Sequence, residues 1–296
     1  MYFLAIIAAL ALERALRAAD LEHFRRAHWF PYYRDQFLTL IGRLPGAIGP
    51  LGVSLICLLP TVLVWLAIWL LAGFSEILAF FLAVIVLLYC LGPGEILGQL
   101  ARYLQAHDPE QAEDHDAGVI AAEIMESESG LSAEDDVHRA VTEAALVRAN
   151  DRLFAVIFWF AILGPAGAVF YRVADLLRRS EARDSENART ELAQYAIMLE
   201  GILAWLPARL LSLSYALTGS FEEAIADWKA YYEECTEPFF ETSEGVLSCT
   251  GCGALRISAG TQDSGLAVVR SARSLLQRTL VLWLAVLAVL TLVGLA

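Results

Sequence analysis

The chain has 296 residues, 58% of them hydrophobic, and a formal net charge of −13, with an isoelectric point near 4.8 and a mean hydropathy of +0.55. That apolar share exceeds what a soluble domain carries, and the acidity excludes the basic footprint of a nucleic-acid binder. Cys57, Cys90, Cys235, Cys249 and Cys252 are an odd set at uneven spacing, which excludes a secreted disulfide framework.

The composition reads as an all-α, polytopic helical membrane protein with helical cytoplasmic loops. Its first segment, residues 1–50, opens with an apolar run at 2–12 that is half the length of a span and ends in Glu13 and Arg14. Lacking a basic leader, the run is expected to be retained, either half inserted or continuing as an amphipathic helix. Arginines at 14, 17, 25, 26, 34 and 43, interleaved with aromatic residues, place the segment at the cytoplasmic interface.

Residues 51–91 follow as a transmembrane hairpin, with spans predicted at 51–72 and 77–91 and a tip at Gly73-Phe74-Ser75-Glu76. Within the next segment, 92–152, residues 92–151 carry fourteen acids against three arginines. Its pattern is helical: Ile96, Leu97, Leu100 and Leu104, and later Val137, Val141 and Ala144, fall at helical spacing. Ser132 and Asp135 resemble a capping box for the last helix.

That helix runs into Asn150-Asp151-Arg152, a charged doorstep to the apolar run 153–173. At roughly 1.5 Å per residue the run reaches about 31 Å, the depth of a bilayer's hydrocarbon core. Gly164-Pro165-Ala166-Gly167 interrupts it at mid-depth, and a broken backbone there needs protein or water around it. Arginines at 178, 179, 183 and 189 follow, against the positive-inside tendency if the run crosses. Either the segment is re-entrant, or it crosses and the chain returns through 201–217, which carries Pro207 and Arg209. An arginine at depth is a functional candidate by default; the other reading is an interfacial helix with Arg209 snorkelling to the headgroups. Residues 153–217 thus form a broken span and a proline-containing helix, 218–278 a second polar cytoplasmic region, and 279–296 a terminal span behind Arg270, Arg273 and Arg278.

Few motifs carry chemistry. Cys249-Thr250-Gly251-Cys252-Gly253 could offer two thiolates to zinc, but neither a second pair nor a nearby histidine completes a tetrahedral set. The stretch reads as small residues packed in a tight turn. His23, His28, His107, His115 and His138 lack ligand spacing and read as solvated. No metal and no cofactor are assigned, and there is no phosphate-binding loop, nucleophile elbow or dinucleotide fingerprint.

Three stretches together resemble one family. The apolar N-terminus ending in Glu13-Arg14, the run VTEAALVRANDRLFAVIFWFAILGPAGAVFYRV, and LAWLPARLLSLSYAL are similar to the AmpE/CobD/CbiB membrane-protein family over most of the chain. The resemblance implies either a regulatory protein linked to cell-wall recycling and β-lactamase induction, or an adenosylcobinamide-phosphate synthase of cobalamin biosynthesis. Ala174-Asp175-Leu176-Leu177-Arg178-Arg179 stands where the synthases carry a Thr-Leu-Asp-Ser-Met-Val-Gly-type stretch, and Ser248 to Leu255 replaces a Ser-Pro-Asn-type run. These departures favour the regulatory, non-biosynthetic branch, for which catalysis is not implied. A transporter of anionic cell-wall fragments is a third reading, suggested by the broken span.

From this we expect a multi-pass protein of the bacterial inner membrane whose partners are membrane lipid and an anionic cell-wall-derived or nucleotide-like small molecule. No nucleic acid is expected, and a homo-oligomer is compatible with the pattern. Glu13, Arg14, Asn150, Asp151, Arg152 and Arg209 are the expected ligand-binding residues, with Asp151, Arg152 and Arg209 lining a polar pocket at the cytoplasmic surface.

Overall fold

The computed structural model describes residues 2–18, 29–41, 49–91, 96–107, 117–125, 134–183, 191–257 and 265–293, and among them every regular element is helical. In chain order these are α1 (Tyr2–Ala18), α2 (Trp29–Ile41), α3 (Pro50–Phe74), α4 (Glu76–Leu91), α5 (Ile96–Ala106), α6 (Ala117–Met125), α7 (Glu134–Ala149), a π-helical turn (Asn150–Phe154), α8 (Ala155–Arg183), α9 (Glu191–Thr218), α10 (Phe221–Glu234), α11 (Thr242–Ala254) and α12 (Leu266–Leu292). Four stretches are long and apolar enough to cross a membrane: Pro50–Phe74, Val137–Ala182, Glu191–Thr218 and Leu266–Leu292. α4, with 16 residues, reaches that standard only when counted with α5. The chain is therefore a multi-pass helical membrane protein.

The helices sort into two compact units, one made of Met1–Pro93, Ala155–Ala204 and Leu287–Ala296, the other of Gly94–Phe154 and Trp205–Val286. In the first, α8 packs against α1, α3 and α4. α1 turns Ala5, Ala9 and Glu13, spaced by four, into the interior. It continues unbroken past Glu13, so the N-terminal run is the start of a longer helix. α3 begins with proline, where the missing N–H would be unpaired anyway. It buries Gly52, Val53, Ile56 and Cys57 and leaves Leu58, Val62, Trp65 and Trp69 exposed. A continuous apolar face of that length suits lipid rather than water.

The break falls inside α8, where two helical stretches join across a kink. Gly164 has φ 68° and ψ −159°, a conformation open in practice to glycine alone. One turn on, a Cβ on Gly167 would stand 2.5 Å from the Trp159 carbonyl oxygen and 2.6 Å from Leu163 Cβ. Glycine therefore lets the two halves of the helix close on each other. The broken segment is covered by protein, as its backbone requires: Trp159 Nε1 donates to the Leu203 carbonyl at 3.1 Å, and Ala168 is fully buried.

In the second unit α7 is the hub, packing against α5, α6 and α11, and α11 in turn pairs with α10. The Cys249–Gly253 stretch is part of helix α11 and not a turn. Its small residues do serve packing, because a Cβ on Gly251 would meet Leu146 Cδ1 at 2.8 Å and one on Gly253 the Glu223 carbonyl at 2.8 Å. Nor are two of the histidines solvated in the way their polarity suggests. Tyr103, 1% exposed, shares a hydrogen bond with His138 Nδ1 at 2.8 Å, and the His107 ring packs tilted against Tyr103, centroids 4.6 Å apart. His23, His28, His115 and Ser132 lie outside the described residues. At the C-terminus, Arg270, Arg273 and Arg278 are inside α12 rather than ahead of it.

Candidate functional site

The doorstep motif adopts a backbone that is rare in proteins. Asn150–Phe154 is a π turn set between α7 and α8, formed where asparagine and aspartate, both weak helix formers, interrupt the run. Such turns widen the helix by one residue and occur frequently at functional positions. Here the widening turns polar side chains inward: Asn150 is 0% and Asp151 7% exposed. Asn150 Nδ2 donates to Asp151 Oδ1 at 3.3 Å, while the buried Asn150 Oδ1 accepts no hydrogen bond among the described residues. Phe154 closes the turn edge-to-face on Trp283, with ring centroids 5.1 Å apart. Nearby on α9, buried Tyr215 donates to the Leu146 carbonyl at 2.8 Å and lies in the electrostatic reach of Asp151.

Arg209 is placed differently from the expectation. Its guanidinium donates to Ser243 Oγ at 2.9 Å, to Tyr232 Oη at 2.7 Å and to Thr242 Oγ1. It also lies 5.0 Å from the centroid of the Trp205 ring. Neither Asp151 nor Arg152 is among its partners. Glu13, 2% exposed, belongs to the interior of the first unit, and the side chain of Arg14 is outside the described residues.

A second charged centre, which the motif reading passed over, occupies the first unit. Asp175 is completely buried and receives Arg172 Nη1 at 2.7 Å, Arg179 Nε at 2.6 Å and Arg178 Nη2 at 3.8 Å. Arg178 Nε also reaches Glu200 Oε2 on α9 at 3.2 Å, and Tyr171 donates to Glu200 Oε1 at 3.4 Å. Carboxylate oxygens of Asp175 and Glu200 approach within 4.8 Å. A pair so close would repel without the guanidiniums between them. Those arginines already supply the positive charge a metal would bring. Part of this was legible beforehand: an acid with arginines at −3, +3 and +4 is a charged face of one helix. Glu200 was not, because 25 residues separate it from Asp175.

The second unit also holds a groove of about 610 Å³ lined by Arg139, Glu143, Asp227, Tyr231, Cys249 and Cys252, among others. Burial, with Glu143 adding to it, pushes the Cys252 thiol up to about 12, and burial with Asp227 and Glu143 raises Cys249 as well. Thiols held protonated make poor nucleophiles and poor zinc ligands. Asp227 is raised too, by burial first and by Glu223 second. Its folded-state pKa lies above its unfolded one, so ionisation costs more in the fold, and stability is lost as pH rises through the raised pKa. Asp227→Asn should therefore raise the melting temperature at pH 7. Below about pH 4, where the wild-type carboxyl is itself protonated, the difference should vanish. Thermal scans at the two pH values check this, and an unchanged or lower melting temperature at pH 7 refutes it.

Apolar helices of membrane length, with buried acids among them and arginines paired to some of those acids, define a polytopic helical membrane protein with internal charged centres. The family model described as "Regulatory signalling modulator protein AmpE" matches residues 1–296, and the chain belongs to that family. Among curated relatives, a "Cobalamin biosynthesis protein CobD" from Stutzerimonas stutzeri (strain A1501) is 31% identical over 270 residues, 87% of this chain and 82% of the relative. A second protein of the same description, from Chromobacterium violaceum, is 33% identical over 127 residues, 43% of this chain and 39% of that protein. No solved structure matches.

Proposed function

We propose that this chain is a regulatory protein of the bacterial inner membrane, linked to cell-wall recycling and β-lactamase induction, which recognises an anionic cell-wall-derived molecule through Asn150, Asp151 and Arg152. The family description over the whole chain supports the regulatory class. The observation that carries the site is the π turn, which buries an asparagine oxygen without a donor beside an aspartate and an arginine; the oxygens suit N–H and O–H groups of such a molecule, and Arg152 its anionic group. A buried polar atom left unpaired costs about 1–3 kcal/mol, so a fold keeps one where a use offsets the cost. In a strain deleted for its own copy, the wild-type chain should restore inducible β-lactamase. Asp151→Ala should fail to do so at equal membrane abundance. Full restoration by that variant would dismiss the π turn as the site.

The relative that shares 31% identity over 270 residues favours a second reading, an adenosylcobinamide-phosphate synthase of cobalamin biosynthesis. Growth of a strain lacking that synthase, on medium where growth depends on cobalamin synthesis, separates the two. Restored growth assigns the chain to biosynthesis.

A further inference from the structure

Arg209 belongs to α9, a helix of membrane length, yet among the described residues no carboxylate answers its charge. Its partners are three hydroxyls, Ser243, Thr242 and Tyr232, and the face of Trp205. Hydroxyl oxygens satisfy the N–H groups of a guanidinium but leave its positive charge in place, and an uncompensated arginine beside lipid is costly.

The donor count points the same way. The buried Arg209 Nε has no acceptor among the described residues. Thr242 gives its proton to the Phe239 carbonyl at 2.7 Å. The hydroxyls of Tyr232 and Ser243, each accepting from Arg209, have no acceptor of their own among the described residues. Two of the five guanidinium N–H groups, on Nε and Nη1, and two O–H groups are thus unspent among the described residues around one positive charge. A donor-rich place without an acceptor calls for an anion, and phosphate oxygens match a guanidinium and hydroxyls together.

The surroundings indicate where that phosphate comes from. Trp205, Leu206, Leu210 and Leu213 stand exposed on α9, and Phe239 is exposed just ahead of α11. Apolar exposure on a membrane helix gives acyl chains a surface beside the charge, and tryptophan with arginine is the pairing of the headgroup zone. We propose that Arg209, with the hydroxyls of Ser243 and Tyr232, is a binding site for a phosphate group, that of an anionic phospholipid headgroup. This site is separate from the π turn and does not depend on the regulatory reading.

The test uses the full chain purified in neutral detergent and read by thermal stability and by native mass spectrometry. Dioctanoylphosphatidylglycerol should stabilise the protein and be retained as a bound adduct, whereas dioctanoylglycerol, with the same chains and no phosphate, and inorganic phosphate should do neither. Arg209→Gln should weaken lipid retention by about tenfold or more, and Arg209→Lys, which keeps charge but loses the fork, by less. Should Arg209→Gln fail to fold, the Tyr232→Phe, Ser243→Ala double variant replaces it, and a several-fold loss is expected. Stabilisation by inorganic phosphate equal to that by the lipid would support the phosphate site while assigning it to a soluble ligand. Equal retention of dioctanoylglycerol, or undiminished binding in the variants, overturns the proposal. Because the readout is binding, its outcome is independent of the β-lactamase and cobalamin assays.

Discussion

Asp175→Ala should cost about 3–5 kcal/mol of stability, the range for removing one partner of a buried ion cluster. The wild-type carboxylate is 0% exposed and faces guanidiniums from Arg172, Arg178 and Arg179. Without it those charges repel one another in a medium that screens poorly, and Arg178 keeps only Glu200 of its two acid contacts named above. Thermal unfolding in detergent, with membrane abundance as a second readout, should show a steep loss. Asp175→Asn retains shape and some hydrogen bonding and should fall between wild type and alanine. Substituting Asp175, Arg172 and Arg179 together by leucine should recover part of the loss, because apolar packing needs no compensation. If Asp175→Ala melts with the wild type, the cluster is not what holds α8 in place.

Gly167→Ala should be nearly as damaging, by roughly 3 kcal/mol, the upper end of the cost of overpacking. The added methyl would meet the Trp159 carbonyl oxygen at 2.5 Å and Leu163 Cβ at 2.6 Å, so the obstacle includes backbone and no side-chain rotation removes it. Opening the kink to make room would shift Trp159, whose indole N–H is bonded to the Leu203 carbonyl. An alanine at Gly73, where nothing stands within 4 Å of the added methyl, is the matched control and should leave stability almost unchanged. Circular dichroism melts of the two variants decide the matter, and equal melting temperatures would refute the close approach.

Hydropathy and helix-breaking chemistry made much of this protein readable from its amino acids. The apolar runs at 51–72, 153–173 and 279–295 each fall in or largely within a membrane-length helix, and the Gly-Pro interruption is where the backbone leaves helical geometry. These are local properties: a run of apolar side chains predicts its own partition into lipid, and a glycine beside a proline predicts its own break. Asn150-Asp151-Arg152 could likewise be marked as unusual, since charge at the head of a span is visible in one dimension. That it forms a π turn and buries its asparagine could not be seen from local sequence, and the ring Phe154 packs against, Trp283, is 129 positions away.

The partners of charged groups were decided by tertiary structure alone. Arg209 was expected to meet Asp151 and Arg152, and its guanidinium instead reaches hydroxyls 23 to 34 positions further along the chain. Asp175 shows the opposite case, where three of its partners lie within one helical turn and were legible from spacing, while Glu200 arrives only when α9 folds beside α8. A hydrophobic pattern states which face of each helix is buried. Which buried faces meet, and at what register, follows from packing of the whole set, and polar groups take the neighbours that packing delivers.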